Sequence, residues 1–218
     1  MPSRMIHYLI AEQVAKQVKI KNTNRFKIGS LCPDMSLHED GSKNQTHYFE
    51  VHGDKKGGNW LRFVEEYGEQ MKLDDLYLGI LCHLITDMIW FHEIMEKQIR
   101  SKVKSKEERQ AKYLQGYDDF HRLNYILREE FDLRYELEEG RNIEFAGIHP
   151  ELYDAVFDSL FKDFFLEPKA EKEELVIYTY DITIDCIRLC IEECVDAIRA
   201  IRNGEETVSP EKYFVPVR

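Results

Sequence analysis

The chain has 218 residues, a formal net charge of -11 and a high aromatic content of 12 Phe, 12 Tyr and 2 Trp. This length and composition suit one domain with a substantial core, so we expect a single domain over residues 1–218. The acidic charge argues against a stable nucleic-acid partner, because tracking a phosphate backbone needs a basic patch. The sequence has no apolar run approaching about 18 residues and no secretory signal pattern, so it predicts neither a membrane span nor export.

The first part of the chain is predicted to form one helix followed by a long loop. Ser3 is a suitable N-cap for a helix from about Arg4 to Val18. Residues 20–56 have weak periodicity and many Gly, Asn and Ser residues, so we interpret them as a long ordered loop. A connection of this length inside a compact domain usually builds a functional site.

The remainder of the chain is predicted to be helical, and few segments have the pattern of a strand. The predicted helices run from the Asn59 cap to Met71, from the Asp74 cap through Leu76–Met95, from Ser105 to about Phe131 with a break near Gly116, from His149-Pro150 to Pro168, and from Glu171 to Asn203 before Gly204. The sequence therefore predicts an all-α, multi-helix fold.

The number and spacing of the cysteines predict the cellular compartment of the protein. The chain has five cysteines, an odd number, and Cys186, Cys190 and Cys194 recur every four residues. Such a stripe is typical of small buried side chains on one helix face. Unpaired thiols are usual where the environment is reducing, so we expect the protein to be cytoplasmic.

His83 and Asp87 are the most informative pair for function. They lie four residues apart in the strongly apolar segment Leu76–Met95, so both point to one face of the helix, about 40° apart. A buried imidazole and carboxylate need a partner, and a divalent metal ion is one that both can bind. The simpler alternative is a buried hydrogen bond between the two side chains.

Other candidate ligands come from the first 50 residues. His7 lies in the first predicted helix, Asp34 follows Pro33 in the loop, and His47 follows Thr46. Imidazole and carboxylate ligands without cysteine are typical of zinc sites that leave a position open for water. Pro33 restricts the backbone before Asp34 and would hold that carboxylate in one orientation.

These motifs together resemble a known family. His7, the segment Gly29-Ser-Leu-Cys-Pro-Asp34, Thr46-His47-Tyr48 and Gly79-Ile-Leu-Cys-His83-Leu-Ile-Thr-Asp87 follow the order and rough spacing of the bacterial zinc-dependent phospholipase C family, over about the first 130 residues. Related zinc nucleases specific for single strands share its all-helical fold.

The resemblance implies a set of ligands. Asp34, His47, His83 and Asp87 would hold one zinc ion, while His7 and Asp87 would contribute to a second. The family's later His-x-x-x-Glu pair for a third ion is missing here, and Asp119, in Asp119-Phe-His-Arg-Leu-Asn124, is the corresponding candidate. We therefore expect two or more zinc ions, although other divalent metals would also suit these ligands.

The resemblance also implies the reaction, which is hydrolysis of a phosphoester by water that the metal ions activate. Asp34 and Asp87 are the predicted catalytic carboxylates, although the sequence does not decide which acidic residue handles the proton of the leaving group. The expected substrate is a small phosphoester or a phospholipid. The alternatives are a nuclease or nucleotide phosphodiesterase, with Trp60, Trp90 or Tyr48 as stacking platforms, and a non-catalytic protein that binds metal or a partner.

Three further polar residues are left open by the sequence. His92 is nine residues after His83, on the opposite side of a regular helix, so it joins the site only if the helix bends. Asp118 and His121 share a helix face and fit a solvated pair as well as a site. The oligomeric state is not indicated by the sequence.

Overall fold

The computed structural model describes residues 1–138, 140–165 and 174–217. In this part of the chain the α-helices are α1 (Arg4–Gln17), α2 (Thr23–Gly29), α3 (Ser42–Thr46), α4 (Trp60–Leu73), α5 (Asp75–Trp90), α6 (Lys106–Glu130), α7 (Tyr153–Asp163) and α8 (Tyr180–Asn203). A π-helical segment, Phe91–Arg100, continues α5, and 3₁₀ turns occupy Cys32–Asp34, Pro150–Leu152 and Pro210–Tyr213. The prediction of an all-α fold is confirmed.

Helix α5 is the centre of the fold, as its apolar sequence predicts. It begins after Asp74, whose side chain accepts a hydrogen bond from the backbone N–H of Leu76. All 16 of its residues are buried, and it packs against α1, α2, α4 and α8. A hydrophobic core continues from α5 into the surrounding helices. The single domain over residues 1–218 remains a prediction.

Helix α5 and the π-helical segment together are long and apolar enough to cross a membrane. However, 83% of the most apolar window of this Asp75–Arg100 helix is buried inside the protein. Protein atoms therefore surround it where lipid would have to be. Among the described residues, no clear membrane-spanning segment is present.

Two glycines allow α2 and α5 to cross in close contact. A Cβ atom on Gly79 would lie 2.1 Å from the carbonyl oxygen of Phe26, and one on Gly29 would lie 2.0 Å from that of Leu76. Only residues without a side chain fit there. The crossing places the backbone at Ser30, directly after α2, beside His83 of α5.

The prediction of a continuous loop over residues 20–56 is wrong. Helices α2 and α3, the Cys32–Asp34 turn and the strand β1 (Phe49–His52) lie within it, and β2 (Lys55–Gly58) overlaps its end. Periodicity does not reveal elements of four to seven residues, because they are too short to repeat a pattern. Strands β1 and β2 form an antiparallel hairpin, to which β3 (Val215–Pro216) adds antiparallel beside β2.

The helix limits agree with the predicted caps at most positions. The side chains of Ser3, Asn59 and Ser105 cap α1, α4 and α6, and Gly204 ends α8 with φ of 70°. The predicted break near Gly116 is wrong: α6 is continuous, and Gly116 instead makes room for the ring of Tyr178. Helix α8 begins at Tyr180, so the prediction that residues 174–179 belong to it is wrong, whereas the predicted limits at Pro168 and Glu171 lie outside the described residues.

Candidate metal centre

Five of the predicted ligands meet around α5. His7 comes from α1, Asp34 from the Cys32–Asp34 turn, His47 from the residue after α3, and His83 and Asp87 from α5. Their ligand atoms form two overlapping groups in which all atoms lie within 4.8 Å of one another. One group is His7, His83 and Asp87, and the other is Asp34, His47 and His83. The structure therefore brings together residues from four segments of the chain.

The carboxylate of Asp87 lies at the centre of this cluster. Its Oδ1 is 3.3 Å from Nε2 of His7, and its Oδ2 is 3.2 Å from Nε2 of His47 and 3.6 Å from Nε2 of His83. The Nε2 atoms of His47 and His83 are themselves 3.2 Å apart. Three imidazole nitrogens thus point towards one carboxylate.

The orientation of His83 is fixed by the α2–α5 crossing. Its Nδ1 lies 2.9 Å from the carbonyl oxygen of Ser30, which only accepts hydrogen bonds, so this nitrogen carries a proton and donates it. Nε2 is consequently the atom that faces the cluster. An imidazole held in this way by a backbone carbonyl is the usual arrangement of a metal-binding histidine.

The residues of the cluster fit a divalent metal ion. Both oxygens of Asp87 and the Nδ1 of His7 are buried and make no hydrogen bond within the described part of the chain. Leaving such buried groups without partners costs free energy, and the three Nε2 atoms near Asp87 do not satisfy them. A cation held between these histidines and carboxylates would satisfy them.

The pKa directions of His7 and Asp87 suit metal binding, whereas that of His83 opposes it. Burial, together with the charge of His83, lowers the pKa of His7 to about 4. Burial raises the pKa of Asp87, but its three neighbouring histidines lower it by more, so it stays well below its ordinary value. Burial lowers the pKa of His83, but Asp87 and Asp34 raise it by more. A metal ion would therefore compete with a proton for Nε2 of His83.

The structure does not bring Asp119 into the cluster, and its predicted role as a metal ligand is corrected here. Its fully buried carboxylate accepts hydrogen bonds from the backbone N–H groups of Val176, Ile177 and Tyr178, and Arg122 also donates to it. Four N–H donors saturate its oxygens. Asp119 holds the segment before α8 against α6.

The residues that the sequence left open also lie outside the two ligand groups. His92 is on the π-helical segment and contacts the carboxylate of Glu93, 2.8 Å away. Asp118 is exposed on α6. His121 is exposed as well, but it lines a cavity beside the cluster.

Two basic residues beside the cluster were not predicted. Nζ of Lys43 donates a hydrogen bond to Oδ1 of Asp34 at 2.9 Å, and Nε of Arg4 lies 3.8 Å from Oδ2 of the same carboxylate. Lys43 is one helical turn before His47, and Arg4 is one turn before His7. The helical spacing of Arg4 from His7 is a signal that identifies Arg4, whereas the same spacing of Lys43 from His47 becomes visible only once α3 is known to be a helix.

Two cavities border the cluster. One, of about 200 Å³, has a largely apolar lining that includes Phe49, Leu84, Met88 and Phe91, and it reaches His47 and Asp87. The other, of about 340 Å³, has a more polar lining that includes Arg4, His121, Asn124 and Ser159, and it reaches Asp34. Met1, His38 and Lys43 line both cavities. The cluster is thus accessible from two sides of different polarity.

The fold and this cluster define an all-helical protein with a candidate metal centre of histidines and aspartates open to two cavities. The sequence model of the zinc-dependent phospholipase C family matches residues 6–173, well over half of the chain, and the chain belongs to this family. It is a family of hydrolases, and the match extends beyond the 130 residues that carry the motifs. No curated protein and no solved structure matches the chain.

Proposed function

We propose that this protein is a zinc-dependent phosphodiesterase whose metal ions are held by His7, Asp34, His47, His83 and Asp87. Membership of a zinc-dependent phospholipase C family supports hydrolysis of a phosphoester. The observation that carries the assignment to these residues is the convergence of three Nε2 atoms on Asp87, whose two buried oxygens make no hydrogen bond to any described residue.

Zinc bound here supplies Lewis acidity and activates water as a nucleophile near neutral pH. The protein itself orients the metal-binding side chains. Ser30 orients His83, Thr46 Oγ1 lies 2.9 Å from Nδ1 of His47, and Asp87 faces all three imidazoles. Asp34 and Asp87 remain the proposed catalytic carboxylates, since they reach the polar and the apolar cavity respectively.

The shape of the site supports a diester with two unlike substituents. A phosphate beside the cluster would have an apolar cavity on one side and a more polar cavity on the other. A phosphomonoester has one substituent and would fill only one of them. We therefore propose an amphiphilic phosphodiester, with its apolar group among Phe49, Met88 and Phe91.

The aromatic residues predicted to stack on bases do not support the alternative of a nuclease. Trp60, Trp90 and Tyr48 are 2%, 0% and 8% exposed, so none offers a free ring face to a base. The alternative of a non-catalytic metal protein would require a closed coordination shell, whereas this cluster borders two cavities. The net charge of -11 also disfavours a nucleic-acid partner.

The cytoplasmic location stays a prediction. All five cysteines are buried and unpaired, which is compatible with a reducing compartment.

The proposed function is tested by measuring metal content and hydrolysis together. Protein purified without added metal would be analysed by elemental analysis and assayed with bis(p-nitrophenyl) phosphate, p-nitrophenyl phosphate, a nucleotide diester and a short-chain phospholipid. We expect bound zinc and a preference for diesters. His83→Ala and Asp34→Ala should lose zinc and reduce kcat/KM more than about 100-fold.

His92→Ala is the matched control, because His92 lies on the continuation of the same helix but outside the cluster. It should keep the zinc content and activity of the wild type. If both cluster variants retained wild-type zinc, the proposed ligand set would be wrong. Zinc-loaded protein that hydrolyses none of the four substrates would contradict the proposed activity.

A further inference from the structure

Lys43 has a position in this site that the metal cluster alone does not explain. Its side chain is only 16% exposed although lysine is usually fully solvated, and it lines both cavities. It lies on α3, one turn before His47, and its ammonium group contacts Asp34. It therefore stands where the polar cavity, the apolar cavity and the cluster meet.

The ammonium group of Lys43 has unused hydrogen-bonding capacity. An ammonium group has three N–H donors, and within the described part of the chain Asp34 is its one hydrogen-bond partner. A buried positive charge with spare donors suits an anionic ligand.

Arg4 is less suited to this role. Its Nη1 donates a hydrogen bond to Oγ of Ser159 at 2.9 Å, and although its buried Nε has no hydrogen-bond partner among the described residues, Arg4 lines only the polar one of the two cavities. The guanidinium group is thus fixed at one side, between α1 and α7. The lysine instead carries a compact charge with rotatable donors at the end of a flexible chain.

We propose that Lys43 binds a non-bridging oxygen of the substrate phosphate, where the two cavities meet, while it keeps its contact with Asp34. This inference rests on the proposed function and adds to it a substrate-binding residue supplied by the protein. The negative charges of Asp34 and Asp87 would be matched by the zinc ions, so the charge of Lys43 would be left to attract the anionic substrate.

The test uses the full-length, zinc-loaded protein and the variants Lys43→Met and Lys43→Arg. Binding of inorganic phosphate is measured by isothermal titration calorimetry, zinc content by elemental analysis, and kcat and KM with bis(p-nitrophenyl) phosphate. Lys104→Met is the control, because Lys104 is an exposed lysine in the loop before α6. Thermal unfolding of each variant checks that it is folded.

We expect Lys43→Met to weaken phosphate binding about tenfold or more, because it removes a hydrogen bond from a charged donor. Zinc content should stay that of the wild type, and KM should rise more than kcat falls, since the lost contact forms in the ground state as well. Lys43→Arg keeps the charge and should weaken phosphate binding less than Lys43→Met does. Lys104→Met should not change any of these values.

Three results would overturn the proposal. If Lys43→Met bound phosphate as tightly as the wild type while the wild type hydrolysed diesters, Lys43 would not bind substrate, and the proposed function would stand. If Lys43→Met gained zinc, the ammonium group would be occupying the place of a metal ion. If the wild-type zinc protein neither bound phosphate nor hydrolysed a diester, the proposed function and the role of Lys43 would fail together.

Discussion

Two buried aspartates, Asp87 and Asp119, lie in opposite hydrogen-bonding environments. Asp119 is surrounded by N–H donors from the backbone at residues 176–178 and from Arg122, so all its hydrogen-bonding needs are met by the protein. Asp87 faces imidazole nitrogens and makes no hydrogen bond to any described residue. A saturated carboxylate is typical of a structural role, whereas an unsatisfied one indicates a ligand position.

This difference predicts the behaviour of Asp119→Ala. The substitution leaves the backbone N–H groups of residues 176–178 without their acceptor, among them the buried one of Tyr178, so the free energy of unfolding should fall by about 2–4 kcal/mol. Zinc content per folded molecule should not change, because Asp119 is outside the cluster. Urea denaturation and elemental analysis measure the two quantities.

Asp118→Ala is the matched control for Asp119→Ala. Asp118 is the neighbouring residue and is exposed, so its removal should change stability by no more than about 0.5 kcal/mol. A loss of zinc from folded Asp119→Ala, with zinc retained in Asp118→Ala, would restore Asp119 as a ligand.

At the scale of elements, the crossing of α2 and α5 connects helix packing with the chemistry of the site. The contact between Gly29 and Gly79 brings the carbonyl group of Ser30 to His83 and thereby sets which nitrogen faces the cluster. Gly29 and Gly79 have no side chain that could bind a metal ion. Their small size determines the orientation of His83, which is a candidate ligand.

Gly79→Ala should therefore affect both stability and metal binding. The new methyl group would lie 2.1 Å from the carbonyl oxygen of Phe26, which is backbone and moves only if the helices separate. Overpacking of this kind costs about 1–3 kcal/mol, and a displaced Ser30 should weaken zinc binding. Urea denaturation and a competitive zinc titration would measure these effects.

Gly68→Ala is the control for Gly79→Ala. A Cβ atom on Gly68, within α4, would meet no atom within 4 Å. Its stability should be unchanged or higher by about 0.5–1 kcal/mol, because alanine favours a helix over glycine. Equal stability and equal zinc affinity in Gly79→Ala and the wild type would show that the close crossing is not required.

At the scale of the whole molecule, the cluster joins parts of the chain that are distant in sequence. At least one candidate ligand comes from each of four segments: helix α1, the turn ending at Asp34, the residue after α3, and α5. Both oxygens of Asp87 and Nδ1 of His7 are buried there without a hydrogen-bond partner among the described residues. A bound metal ion would link all four segments in the folded state only.

Metal removal should therefore lower the thermal stability of the protein. A ligand that binds only the folded state contributes about 2.7 kcal/mol at a concentration 100 times its Kd. We expect dialysis against a chelator to lower the unfolding midpoint and added zinc to restore it, as measured by calorimetry. In His83→Ala the midpoint should not respond to zinc, and an equal response there would contradict the proposed centre.

The amino-acid sequence alone predicts the helical class, the central position of α5, most of the helix caps and the five residues, Asp87 among them, that form the candidate metal centre. These features depend on local patterns: the spacing of apolar residues, the capping side chains and the four-residue separation of His83 and Asp87. The tertiary structure decided the rest. Four features depend on contacts between segments far apart in the chain, and such contacts leave no local periodicity in the sequence. They are the saturation of Asp119, the orientation of His83 by Ser30, the position of Lys43 between two cavities, and the burial of Trp60 and Trp90.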